Sequence, residues 1–436
     1  MKEKIIKIAK SLQNEMTALR RDFHKYPELA WTEFRTASIV AKTLEDLGLK
    51  VFVGDEVMCG SLMKNVPSIN ELEEHMKRAT EQGGYYRFIK QMEGGKTGVM
   101  GVIETGKLGP VIAIRFDFDA LPINESDSSD HAPMAGGYAS VNKGIMHSCA
   151  HDGHAAVGLG VATLLSEIKN ELNGTIKLIF QPAEEGVQGG ATSMIKKGIV
   201  DDVDIMLGFH IGLISENGTI FCETNDFKAT TTYHINFTGK SAHSGANPEE
   251  GKSALLAAAH AVMAMQGIYR TSKGASRINT GVFRSGTASN IVPDKAYLEI
   301  ETRGETTEIN KYMKGEVYRI LEASAMMYDC KVDLTPQNVE FGEAISAVCD
   351  AELVEFTKET AEELDIFENI KDKMGLGGSE DYTYFMEHIQ RKGGKATHFI
   401  VGANLAAKHH NERFDFDDGV LWKIAALLVM MIHKKS

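Results

Sequence analysis

The chain has 436 residues, 43% hydrophobic and 25% charged, which excludes a disordered or fibrous protein and asks for two domains rather than one core. Its net charge of −13 comes without a basic stripe, which excludes nucleic acid as a partner. Five cysteines, at 59, 149, 222, 330 and 349, are odd in number and scattered, so a disulfide framework is not expected and a reducing, cytoplasmic setting is.

The N-terminal residues lack the uninterrupted apolar core of a signal peptide. Apolar residues at helical spacing over 5–23 predict an amphipathic first helix ending near Pro27, and a second helix follows over 33–47, stopped by Gly48. Residues 55–95 read as a polar insertion in which Ser68-Ile-Asn-Glu71 has the form of a capping box, predicting a helix over 69–81. Apolar runs at 97–103, 111–115, 176–180 and 205–208 predict strands with helical patterns between them, the signature of an α/β domain with a mostly parallel central sheet. From 227 the order becomes strand, helix, strand, strand, helix, strand, which predicts an inserted ferredoxin-like (βαββαβ) domain at 227–337. The first domain is then discontinuous, 1–226 and 338–436. The last apolar run, 420–432, is shorter than the ~20 residues of a membrane span and contains Lys423, so a docked terminal helix is expected and no membrane partner is.

Chemistry concentrates in His147-Ser-Cys-Ala-His-Asp-Gly-His154. Thiolate and imidazole at this spacing suit a borderline-soft divalent cation, and Cys149 and His151 share one face of an extended chain. Three further pieces carry ligand-type residues: Glu184-Glu185 after the 176–180 strand, His210 after the 205–208 strand, and His409-His410. Each alone is weak, since a strand-end histidine or a glutamate pair is more often a satisfied or solvated residue. Together they lie where an α/β sheet assembles a site, beyond the carboxyl ends of strands. Cys149, His151, Glu185, His210 and one of His409 and His410 would serve two divalent ions. Neighbours in extended chain point to opposite sides, which would leave Glu184 without a metal and suited to move a proton between water and a leaving nitrogen.

Met146-His-Ser-Cys-Ala-His-Asp-Gly-His154, Gln181-Pro-Ala-Glu-Glu-Gly186, Gly208-Phe-His210, Gly377-Gly-Ser-Glu-Asp381 and His410-Asn411 resemble, in order and across the whole chain, the motifs of the di-metal amidohydrolases that include aminoacylases, hippurate hydrolases and indole-acetyl-amino-acid hydrolases. Trp31-Thr-Glu-Phe-Arg-Thr36, the 55–95 insertion, Phe227-Lys-Ala-Thr-Thr231, Gly274-Ala-Ser-Arg277 and His409-His-Asn-Glu-Arg-Phe-Asp-Phe416 narrow that likeness to one branch. The resemblance implies that Cys149, His151, Glu185, His210 and His410 bind two metal ions, manganese before zinc, and that Glu184 is the general base. It makes the inserted domain a lid and dimerisation domain, with His243 reaching across a homodimer, or a heterodimer with a homologous subunit, to a developing oxyanion. It matches Asn290 and Arg303 to residues that hold a substrate carboxylate, with Ser379 a weaker candidate for substrate contact and Asp117 a residue supporting the ligands. The implied reaction is hydrolysis of an N-acyl amino acid, p-aminobenzoyl-glutamate or a related aroylglutamate first. The alternatives are a broad deacylase and a non-catalytic subunit. One departure bears on the site: Ala150 stands where the family has glycine, a substitution with a cost if that position needs positive φ.

Overall fold

The structure, a computed structural model, describes residues 1–213 and 216–436, the side chain of Gln337 excepted. It contains two compact units, Met1–Asn225 with Ala347–Leu376 and Asp381–Ser436, and Asp226–Ser346 with Gly377–Glu380. Among the described residues thirteen strands run in chain order as β1 (Lys50–Val53), β2 (Val99–Glu104), β3 (Val111–Asp117), β4 (Thr175–Gln181), β5 (Ile205–Ile211), β6 (Thr219–Asn225), β7 (Ala229–Thr238), β8 (Ser276–Ser285), β9 (Lys295–Gly304), β10 (Lys331–Val332), β11 (Glu340–Ala344), β12 (Asn369–Gly375) and β13 (Lys395–Val401).

The first unit is built on an eight-stranded sheet in the order β1-β2-β4-β3-β5-β13-β6-β12. Its centre, β4-β3-β5-β13, is parallel throughout and β6-β12 is parallel as well, while β1-β2, β2-β4 and β13-β6 pair antiparallel, so the sheet is mixed, with four of its seven pairings parallel. These four central strands are buried on both faces, which is why they read as predominantly apolar runs without strict alternation. Helix His151–Glu167 is buried along almost its whole length, and helices Gln13–Lys25 and Leu421–Lys435 pack against it. Its glycines permit that approach, since a Cβ at Gly158 would lie 2.6 Å from the Phe180 ring. The C-terminal run is a docked helix, buried from Leu421 to Ile432 apart from Trp422. Among the described residues no helix is long and apolar enough to cross a membrane, and all five cysteines are free.

The single helix expected at the N-terminus is two, Lys2–Ser11 and Gln13–Lys25, divided at Leu12. In the insertion, helix Ile69–Glu81 carries its capping box: Ser68 Oγ accepts from the Glu71 amide at 3.4 Å and Glu71 Oε2 from the Ser68 amide at 2.8 Å.

The second unit has one sheet, β10-β7-β9-β8, with β11 also paired to β7. Helices Ala254–Gln266 and Thr307–Met327 cover one face, burying Ile235, Phe237, Leu298 and Ile300 beneath Ala258, Met265, Val317 and Leu321. Residues of opposite phase on β9, among them Glu301 and Arg303, occupy the other face.

Candidate metal centre

Because β3, β4, β5 and β13 are parallel, their carboxyl ends lie along one edge of the sheet, and the ligand-type residues are there or just beyond. Asp117 ends β3, Glu184 and Glu185 follow β4, His210 is in β5, and His410 lies in the segment after β13. Cys149 and His151 enter at the start of helix His151–Glu167.

Among the described residues two donor sets share the Cys149 thiol. The Cys149 thiol and the His151 and His210 imidazoles lie within 4.8 Å of one another, as do Cys149, Glu185 and His410, so the thiol is common to both. His210 Nε2 is 3.6 Å from Cys149 Sγ, and His410 Nε2 is 3.4 Å from Glu185 Oε1. The histidine tautomers are set from behind. His151 Nδ1–H donates to the Asp119 carbonyl at 3.0 Å and His210 Nδ1–H to the Ile211 carbonyl at 2.8 Å, which leaves both Nε2 lone pairs facing the cluster. His151 Nε2 and Glu185 Oε1 are buried and accept no hydrogen bond from the described residues. Such atoms are costly to bury unless another partner satisfies them, so the site fits a pair of divalent cations. Burial and the imidazoles of His154, His409 and His151 hold His210 well below the usual histidine range, as a ligand requires. Without cations, the Cys149 and Glu185 side chains draw a proton onto His410, pulling it up to about 10.

His409 and His410 are separated by the structure: His409 Nε2 donates to the Ile211 carbonyl at 3.2 Å, and His410 faces Glu185. His154 is fully used, Nδ1 against Asp117 and Nε2 accepting from the Ile211 amide at 3.0 Å. Asp152 turns away from the donors toward Arg20 Nε at 2.9 Å and His24 Nδ1 at 2.8 Å. His147 is buried, and neither ring nitrogen has a hydrogen-bond partner among the described residues.

The expectation that Glu184 and Glu185 point to opposite sides fails. Ala183 has φ 54° and the pair lies in a turn closed by the Val187 amide on the Glu184 carbonyl at 2.8 Å, so both carboxylates come within 4.8 Å of the His151 donor atom. Two residues that sequence reasoning gave no part hold this turn. Glu33 Oε1 accepts from the Ala183 amide at 3.0 Å, and Asp119 Oδ2 from the Glu185 amide at 2.8 Å. Glu33 lies within the 31–36 motif and Asp119 two residues after Asp117, so position in a motif was the available signal. Ala150 has φ 68°, the left-handed conformation that glycine adopts without penalty. Asp117 spans Arg115 and His154, and its Oδ2 lies 3.5 Å from His151 Nε2, directly against the donors.

The remaining candidates belong to the second unit. His243 Nδ1 accepts from the Gly245 and Ala246 amides, both at 3.1 Å, which leaves Nε2–H as a donor on an exposed ring. Asn290 lies beside it, its carbonyl accepting from the Ser244 amide at 3.0 Å. Arg303 is at the far end of β9. Ser379 Oγ donates to the Lys228 carbonyl at 3.0 Å, so its hydroxyl locks the glycine-rich turn.

Imidazole, carboxylate and thiol donors beside a second carboxylate, at the carboxyl edge of an α/β sheet, define a metal-dependent hydrolase. Residues 113–434 match the model of Peptidase family M20/M25/M40, and the chain belongs to that family. It is 42% identical over 413 residues to indole-3-acetyl-aspartic acid hydrolase of Enterobacter agglomerans (94% of each chain). It is 41% identical over 419 residues to one subunit of the p-aminobenzoyl-glutamate hydrolase of Escherichia coli strain K12 (96% of this chain, 95% of that one). The crystal structure of aminobenzoyl-glutamate utilization protein from Klebsiella pneumoniae superposes with a TM-score of 0.82 at 35% identity, covering 98% of this chain and 97% of that one. The chain is an amidohydrolase.

Proposed function

We infer that this chain hydrolyses the amide between an acyl group and an acidic amino acid, with p-aminobenzoyl-glutamate or a related aroylglutamate as the first substrate to test. The reading is carried by the two donor sets sharing Cys149 with the Glu184 carboxylate beside them. The relatives named for an indole-acetyl-aspartate and an aminobenzoyl-glutamate supply the substrate class.

Cys149, His151 and His210 would hold one cation and Cys149, Glu185 and His410 the other; mixed N, O and S donors accept manganese and zinc alike, and the family resemblance puts manganese first. Divalent ions in such a site act as Lewis acids toward a carbonyl and acidify water. Glu184, 3.9 Å from His151 Nε2, takes a proton from the attacking water and delivers it to the leaving amide nitrogen. Arg303 offers its guanidinium fork to the substrate carboxylate, and Asn290 adds an amide donor. His243 presents Nε2–H to the oxygen that gains charge as the carbonyl carbon becomes tetrahedral. The second unit, with its split β-α-β order, acts as the ferredoxin-like lid and dimerisation domain, inserted between 1–226 and 338–436. Its partner is a second copy or, because the Escherichia coli relative is named as one subunit of its hydrolase, a homologous subunit. Free, scattered cysteines suit a cytoplasmic location.

Glu184→Gln tests the central role. It removes the base while leaving both donor sets, so we expect two metal equivalents by elemental analysis and a loss of aroylglutamate hydrolysis of about 10²- to 10⁴-fold. Turnover at the wild-type rate would overturn the assignment.

A further inference from the structure

Two segments marked in the sequence, 227–231 and 274–277, have no part in the metal centre. They meet in the second unit, where a cleft of about 200 Å³ is lined by Lys228, Arg277, Arg303 and Glu305, with Gly304 and Gly377 in its wall. Lys228 is placed there by the glycine-rich turn, its amide donating to the Gly378 carbonyl at 2.8 Å.

The charges lining the cleft are three cations and one carboxylate, and they are not equally engaged. Glu301 accepts from Arg303 Nε at 2.7 Å and Nη2 at 3.2 Å. Lys228 Nζ pairs with Asp226. Glu305 Oε2 is taken by the Ala275 amide at 2.8 Å. Arg277 is different: its Nη1 donates to the Ser276 carbonyl at 2.8 Å, and no carboxylate pairs with it among the described residues. Yet Arg277 is the direct cross-strand partner of Arg303 on β8 and β9. Like charges so placed repel, and Glu301 offsets that repulsion only on the Arg303 side. The pair becomes favourable when an anion joins it, and two guanidiniums side by side accept two carboxylates side by side.

We propose that Arg277, with Lys228 beside it, binds the side-chain carboxylate of an acidic amino acid whose α-carboxylate is taken by Arg303, making the chain selective for N-acyl glutamates and aspartates over N-acyl amino acids with neutral side chains. This rests on the amidohydrolase reading and deepens it at the amino-acid end. A neutral side chain leaves Arg277 unneutralised against Arg303, so discrimination comes from a repulsion left standing as well as from the ion pair that an acidic side chain forms.

N-benzoyl-glutamate and N-benzoyl-glutamine have the same length and differ by one charge. With metal-loaded wild-type chain, kcat/KM should favour the glutamate substrate by about tenfold or more. Arg277 is exposed, so its variants should fold. Arg277→Gln should lower that ratio about tenfold, chiefly through KM, and Arg277→Lys should recover part of it. A ratio within twofold of wild type in Arg277→Gln, whether both rates fall or neither does, overturns the assignment. Calorimetry with free glutamate and free glutamine reads the same subsite without turnover. Weakening of glutamate binding alone supports it, and equal binding of both amino acids to wild type and variant overturns it. If wild type hydrolyses neither amide, the aroylglutamate reading fails while the calorimetry still decides Arg277.

Discussion

Ala150 stands between Cys149 and His151, the two candidate donors of this loop. With φ 68° it holds the left-handed conformation at the entrance of helix His151–Glu167. An L side chain costs about 1–2 kcal/mol there. Replacing it with glycine relieves that cost, but adds about 0.5–1 kcal/mol of unfolded-chain entropy and removes a fully buried methyl of about 0.8 kcal/mol. The opposing effects nearly cancel. We expect Ala150→Gly to unfold within about 1 kcal/mol of wild type, whereas Ala150→Val, β-branched in a left-handed well, should be destabilised by more than about 2 kcal/mol. Denaturant midpoints check both, and a glycine variant stabilised well beyond that margin would show strain that the methyl does not offset. The donors themselves were legible in the sequence, because cysteine, histidine and glutamate at strand ends have few other reasons to cluster. The orientation of Glu184 and Glu185 was not. An alternation rule for extended chain does not apply once Ala183 turns left-handed, and Glu33, which holds that turn, comes from 150 positions earlier.

At the scale of elements, helix His151–Glu167 is tied to its neighbours by buried charge. Arg20 and His24 of helix Gln13–Lys25 converge on Asp152, Arg20 continues to Asp415 and Asp418, and His24 Nε2 reaches Glu125 at 2.9 Å. Burial lowers the His24 proton affinity, but the Asp152 and Glu125 carboxylates outweigh it and raise its pKa to about 9. An unfolded histidine titrates near 6.5, so the bound proton stabilises fully below about pH 6.5, and the contribution is lost as pH rises toward 9, on the order of 3 kcal/mol in all. Thermal unfolding should therefore show a fall in Tm between pH 7 and 9 that His24→Gln flattens. An equal fall in the variant would place the titration elsewhere. No periodicity exposes such a network, since its members are polar residues on faces that otherwise read as apolar. Elements themselves were legible in proportion to their burial: β3, β4, β5 and β13 announce themselves by short apolar runs, interrupted in β4 by Lys177 and in β13 by Thr397 and His398, whereas β12, Asn-Ile-Lys-Asp-Lys-Met-Gly, is largely exposed and carries neither alternation nor apolar length.

For the whole molecule, the second unit divides the residues assigned to substrate between its two ends. His243 and Asn290 adjoin the Lys295 end of β9, where Lys295 pairs Thr238, while Arg303 is eight residues on, about 26 Å along an extended strand. A dipeptide-sized substrate does not span that distance. If Arg303 and His243 both act on one substrate, as proposed, they come from two chains, and the proposed dimer supplies His243 from the partner. Mixing variants tests this directly. Glu184→Gln lacks the base and His243→Ala lacks the oxyanion donor, so each alone should be inactive. In a mixed dimer, the His243→Ala chain retains Glu184 and would receive His243 from the Glu184→Gln chain, restoring one site of two. After denaturation and refolding of an equal mixture, half the dimers are mixed by statistics, and activity should recover to about one quarter of wild type. If His243 instead acted within its own chain, every site in the mixture would lack either the base or the donor, and the activity would stay at the level of the separate variants.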